Sequence, residues 1–157
     1  MVKVALGALM VMITVSAGLA EEMKVTTADS IKWGPAPPSL PKGAQLAVLS
    51  GDPASDGPFV VRVKLPAGYQ VAAHNHPTTE NVTVLSGTFN IGMGDKLDTQ
   101  KGQLLHTGGF AEAAAKMNHY AWTSGETVVQ VHGQGPFAIT YVNPADDPSK
   151  NASKASD

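Results

Sequence analysis

The 157-residue chain contains no cysteine. That excludes disulfides, thiolate metal sites and cysteine nucleophiles, so any metal here must sit on His, Asp or Glu. Charge is also scarce: Asp, Glu, Lys and Arg make up 15% of the residues, and the formal net charge is −2. So few charges exclude the disordered acidic or basic tails that strong self-repulsion keeps open. The 11 basic residues are scattered, and no basic stripe forms a nucleic-acid footprint. Aromatic residues are only 6% of the chain. What the chain does have is turn chemistry: 16 Gly and 11 Pro in a sequence that is 43% hydrophobic. Short apolar runs broken by turns favour an all-β domain, and the length corresponds to one domain.

The first 20 residues read as an export signal. Lys3 is the only charge before Glu21, Val4 to Ala20 is uncharged, and Gly18-Leu19-Ala20 offers small residues at a cleavage site. A basic start, an apolar run and a small-residue end are the parts of a secretory signal peptide. The expectation is cleavage after Ala20, a periplasmic or secreted mature protein, and no stable membrane insertion afterwards. Residues 21–43 then form a Pro-rich arm, extended because Trp33-Gly34-Pro35-Ala36-Pro37-Pro38 cannot be helical. Residues 44–142 form the folded domain. From Asn143 to Asp157, Asn, Pro, Asp, Ser and Lys dominate, and a disordered tail is expected.

Within the domain, strands are expected at Ala44–Leu49, Pro58–Leu65, Asn81–Leu85, Thr88–Met93, Gln103–His106, Tyr120–Thr123, Thr127–His132 and Phe137–Val142. The two-residue link Ser86-Gly87 predicts a hairpin between its flanking strands. Ala111 to Met117 is helix-prone, and reads either as a single helical turn or as a segment whose propensity tertiary context overrides. About eight short strands with regular punctuation fit a small β-barrel or double-sheet jelly roll.

One stretch carries chemistry. His74 and His76 are two residues apart, so on an extended strand both project to one face. Glu80 follows after the bend that Pro77 favours. Two imidazoles and a carboxylate on one face make a binding set for a divalent first-row metal. Val82 and Val84 share phase with Glu80 and are expected to line the pocket. Tyr69, Tyr120 and Trp122 flank this region and are candidate rim residues. Gln130 and His132 share a strand face, and would support the site or touch substrate if that face is the inner one. The alternative is that they face solvent. His106 reads as a surface histidine, and Lys116 as a solvated loop lysine or a contact for an anionic substrate.

The spacing Gly68, five residues, His74-x-His76, three residues, Glu80, six residues, Gly87 resembles the first signature motif of the cupin family. In the second motif Gly108 and His119 match, while Ala114 stands in place of a Pro, Lys116 of a turn Gly, and Thr123 of an Asn. The resemblance spans about Ala44 to Val142, and is nearest in style to the metal-binding domain of ChrR-type anti-sigma factors and to diketone-cleaving dioxygenases. It implies a double-stranded β-helix with one divalent ion, Fe(II), Mn(II), Ni(II), Cu(II) or Zn(II), near its mouth. The implied ligands are His74, His76, Glu80 and His119, with one or two positions left for water or substrate. A metal-dependent enzyme of dioxygenase or lyase type on a small chelating substrate is the first expectation. A non-catalytic metal- or ligand-binding module is the alternative. Barrels of this kind often pair through edge strands, so a homodimer is also expected.

Overall fold

The computed structural model describes residues 22–152. Eleven strands follow a short 3-10 turn at Ala28–Ser30: β1 Gly34–Pro35, β2 Gln45–Ser50, β3 Gly57–Leu65, β4 Gln70–Asn75, β5 Glu80–Ser86, β6 Thr88–Met93, β7 Gln103–His106, β8 Phe110–Ala113, β9 His119–Trp122, β10 Thr127–Gly135 and β11 Thr140–Tyr141. They form two antiparallel sheets, one in the order β1-β2-β3-β10-β5-β8 and the other β11-β4-β9-β6-β7. This is the expected all-β jelly roll.

Alternation explains why the sheets close on each other. On β3, Phe59, Val61, Val63 and Leu65 are buried while the residues between them are partly exposed. Val131 lies opposite Val61 and Val82, and Val129 opposite Val63 and Val84. Val71, Phe89 and Ala121 supply the facing wall from the second sheet. Each such fully buried Val or Phe contributes about 1.5–3 kcal/mol, which a chain without disulfides needs. Among the described residues, no helix is long and apolar enough to cross a membrane.

The arm is held down rather than loose. The Lys64 ammonium sits 4.7 Å from the centre of the Trp33 ring, and the Ala36 amide donates to the Ala44 carbonyl at 3.2 Å. The Tyr69 hydroxyl donates to the Pro41 carbonyl, and the Tyr141 hydroxyl to the Ser39 carbonyl at 2.7 Å. The arm therefore returns across the barrel end and packs Ala36 and Leu40 on the core.

The structure corrects four expectations. Strands β5 and β6 are not a hairpin: β5 pairs with β10 and β8, and β6 with β7 and β9. At Gly87 (φ +76) the chain crosses between sheets, pressed so close to the start of β10 that an added Cβ would lie 2.4 Å from the Glu126 carbonyl oxygen. The helix-prone segment starts as a strand instead. The open edge of β5 offers backbone partners, Val82 pairing with Ala111 and Glu80 with Ala113, and this overrides a propensity worth only tenths of a kcal/mol per residue, about 0.7 at most. The last expected strand shortens to Thr140–Tyr141, because the Phe137 amide donates to the Pro53 carbonyl at 2.7 Å and the Ala138 carbonyl is taken by the His76 ring. Residues 143–152 carry local structure where disorder was expected: a 3-10 turn at Pro144–Asp146, capped by the Asn143 side chain, and a helix at Pro148–Ala152. There the Asp147 carboxylate accepts from the Ser149 amide at 3.0 Å. The proposed signal, residues 1–20, lies outside the described residues.

Candidate metal centre

Strict alternation along β4 would put Val71 and the two histidines on opposite faces. The register between β4 and β9 slips between Val71 and His74, and both Ala73 and His74 are buried. That bulge turns His74 inward below His76, the re-aiming that bulges commonly do near functional sites. His74 pairs directly with His119 at the start of β9. Glu80 opens β5 opposite Gly133 of β10. Four side chains far apart in sequence thus converge at one end of the barrel.

The three imidazoles crowd together: ring centres are 4.3 Å apart for His74 and His119, 5.0 Å for His74 and His76, and 5.2 Å for His76 and His119. Each Nδ1 reaches a backbone carbonyl, His74 to Ala72 at 2.7 Å, His76 to Ala138 at 2.8 Å and His119 to Met117 at 2.9 Å. A carbonyl only accepts, so each Nδ1 carries the proton and each Nε2 presents a lone pair. The Nε2 atoms of His76 and His119 are buried and form no hydrogen bond. The Glu80 carboxylate lies 3.2 Å from the His119 Nε2 and 3.6 Å from the His76 Nε2, within ionic reach. One ligand atom from each histidine falls within 4.8 Å of the others. Orphaned, buried, pre-oriented lone pairs beside a carboxylate fit a bound cation, and the carbonyl tethers are the outer partners that ligating histidines use.

Electrostatics divide the group. Burial, then the neighbouring His119 and His76, push the His74 imidazolium pKa down to about 4, which keeps that ring neutral. Burial also opposes charge on His119, but contact with Glu80 outweighs it and leaves the value raised. For Glu80 burial again opposes charge. His119 and His76 outweigh it and hold the carboxyl below the usual carboxylate range. Glu80 is therefore ionised at neutral pH, and a carboxylate beside the three rings suits a cation.

The cluster opens on a cavity of 410 Å³. Val82 lines it, whereas Val84 is packed in the core next to Val129. The other candidates lie elsewhere. Tyr69 is buried with its hydroxyl on the arm. Tyr120 points away from the lumen, its ring against Gly92 and its hydroxyl on the Lys101 carbonyl. The inner face of β10 belongs to Val129 and Val131, so Gln130 and His132 face outward. There the Gln130 side-chain oxygen accepts from the Arg62 Nε at 3.2 Å. His106 and Lys116 are exposed.

Several residues at the site carry no local sequence signal. Phe137 stacks on His76 with ring centres 4.1 Å apart at 16°. The Ala138 carbonyl orients His76 from 62 residues away. Pro37, Ser39 and Leu40 of the arm complete the cavity wall. Lys116, in place of the motif's turn glycine, adopts the left-handed conformation with φ +62. Its amide donates to the His76 carbonyl at 2.8 Å. The turn geometry thus survives the substitution, and Thr123, in place of Asn, donates its hydroxyl to the Pro66 carbonyl at 2.7 Å.

The family DUF4437, described as a domain of unknown function, matches residues 16–140. No curated protein matches the sequence. Among solved structures, the polyketide cyclase RemF from Streptomyces resistomycificus is similar at a TM-score of 0.64 and 15% identity, over 84% of this chain and 94% of that one. A candidate acetylacetone dioxygenase from Methylibium petroleiphilum aligns at 0.61 and 20% identity, over 86% and 90%. An RmlC-like cupin from Shewanella frigidimarina aligns at 0.55 and 12% identity, over 69% and 87%. At these identities the likeness shows the fold alone.

Proposed function

The chain belongs to the DUF4437 family and folds as a cupin, and on that premise we propose that it is a metal-dependent enzyme acting on a small chelating molecule. His74, His76, His119 and Glu80 hold one divalent transition ion, Fe(II), Mn(II), Ni(II), Cu(II) or Zn(II). The observation that carries this is the pair of buried Nε2 atoms without hydrogen bonds, in rings whose Nδ1 atoms are tied to carbonyls. When bound, the ion supplies Lewis acidity and, for a redox-active metal, a means of engaging dioxygen. The chain's own part is to keep three lone pairs convergent, to balance the ion's charge with Glu80, and to exclude water with apolar walls. Outside the four ligands, the one polar side chain among the described lining residues is that of Ser39. Among the described residues no acid–base pair is therefore dedicated to proton transfer, which favours oxygen or Lewis-acid chemistry at the ion over general acid–base catalysis.

That same scarcity of proton carriers favours the second reading, a non-catalytic module that binds a metal or ligand. Elemental analysis of the purified protein beside His74→Ala and His119→Ala tests the shared premise. The expected result is near one ion per chain, lost in both variants. No metal after reconstitution would refute both readings. Oxygen-consumption screens with diketones and small phenols then separate them: ligand binding without turnover leaves the binding module.

We also propose export to the periplasm or medium on the signal at residues 1–20, supported by Lys3 and the uncharged run Val4 to Ala20. A mature mass starting at Glu21 is expected. An uncleaved cytoplasmic product would refute it. Pairing of two copies is tested by sedimentation of the same material, where a monomer at micromolar concentration would count against it.

A further inference from the structure

The wall of the cavity constrains what enters it, an inference that rests on the metal-binding reading above. Strand register divides the six-stranded wall into levels. Glu80 is level with Gly133, Val82 and Val61 flank Val131, and Val84 and Val63 flank Val129. Across the barrel His74 pairs with His119, and one level down Val71 and Ile91 flank Ala121. From the Glu80 level to Val129 is four residues of β10, about 13 Å of strand. Over that length the lining is Val, Ile, Leu, Phe and Ala, and among the described residues no Lys, Arg or Asp side chain lines the cavity.

The cavity volume of 410 Å³ lies in the range of small-molecule sites, about 300–1,000 Å³. Apolar space left empty weakens a core, so a barrel that keeps its centre hollow has a use for the space. A second carboxylate would be buried without a cation, and a sugar would bury hydroxyls without partners. Both are costly in an apolar wall. We propose that the ligand is amphipathic: one oxygen-chelating head, neutral or singly anionic, at the histidine cluster, and an apolar ring or alkyl body up to about 13 Å long running down the barrel. Dicarboxylates and sugars are excluded as ligands. Ala121 from one sheet and Val131 from the other both line the lumen and set the length and girth that it accepts.

The test uses the purified full chain and two probes. N-phenyl-1-naphthylamine, uncharged and without a chelating head, reports the lumen by fluorescence and needs no metal. It is expected to saturate on the wild type and on His74→Ala, and to bind at least about tenfold more weakly to Ala121→Leu and Val131→Phe. Both filling variants should melt no lower than the wild type, because they occupy empty volume. A marked drop in their melting would mean a packed centre and would overturn the inference. Straight-chain hydroxamates from acetyl to octanoyl, titrated calorimetrically into Mn(II)-loaded protein, should tighten by up to about fourfold per methylene. Malonate and gluconate should not compete with them. Equal affinity along the series, or competition by malonate or gluconate, would overturn the proposal. Naphthylamine binding without metal uptake would overturn the metal reading and leave the lumen standing. Metal uptake without naphthylamine binding would overturn this inference alone.

Discussion

Lys116 is a non-glycine residue held at φ +62, in the turn that delivers His119. The turn leaves it little choice: its amide donates to the His76 carbonyl at 2.8 Å, and the Met117 amide donates to the Ala114 carbonyl at 3.0 Å. The side chain itself is exposed. A Cβ in this conformation costs about 1–2 kcal/mol. Lys116→Gly removes that strain and keeps both backbone hydrogen bonds, but it gives back about 0.5–1 kcal/mol as extra freedom in the unfolded chain. The net expectation is a stabilisation of about 0.5–1 kcal/mol, which for a chain of this size raises the melting temperature by roughly 1–4 °C. Lys116→Ala keeps the Cβ and is the control, expected within about 1 °C of the wild type. Differential scanning calorimetry of the three metal-free proteins is the assay. A rise in Lys116→Ala equal to that in Lys116→Gly would locate the effect in the lysine charge. No rise in either would refute the strain argument altogether.

Three further perturbations read other parts of the fold. With metal removed, His74 has a folded-state pKa of about 4, below its unfolded value near 6.5. The unfolded chain therefore takes up the proton first, and stability falls as pH drops from about 6.5 to about 4. His74→Leu should flatten that part of a melting-temperature profile, and an unchanged slope would assign it to another group. Tyr141→Phe deletes the hydroxyl bond to the Ser39 carbonyl, so a loss of about 1 kcal/mol is expected, with faster proteolysis between Pro37 and Lys42. Burial, then Asp147 and Asp146, raise this hydroxyl's pKa to about 12. Its contribution is complete below about pH 10 and disappears as pH climbs through 12, so an alkaline melt that is the same in both proteins would count against the assignment. Gly87→Ala places a Cβ 2.4 Å from the Glu126 carbonyl oxygen at φ +76 and should destabilise by more than about 2 kcal/mol in a urea titration. A smaller loss would show that the crossing between sheets has slack.

Much of the fold is local in origin and so legible in the chain. Val61 to Leu65 alternates with period two and Thr127 to His132 is a short β-branched run, and each lies in a strand with one buried face. Alternation could not say which face of β10 is inner. That was decided by Val61 and Val82 on either side of Val131, and it sends Gln130 and His132 outward. The alanine-rich run at Ala111–Met117 shows the same limit, since the unpaired edge of β5 outweighed its helix propensity.

At the candidate site, the spacing of His74, His76 and Glu80 marks a ligand-capable stretch without any structure. By itself the sequence determined the all-β class, most strand positions and the donor types. Tertiary structure alone decided that a bulge between Val71 and His74 turns the ring inward, that the Ala138 carbonyl orients His76, and that the arm's Ser39 and Leu40 wall the cavity. The physical reason is range. A strand's hydrophobic period is set by neighbours two residues away, whereas a ring's orientation and a cavity's contents depend on atoms brought together from 62 to 102 residues apart.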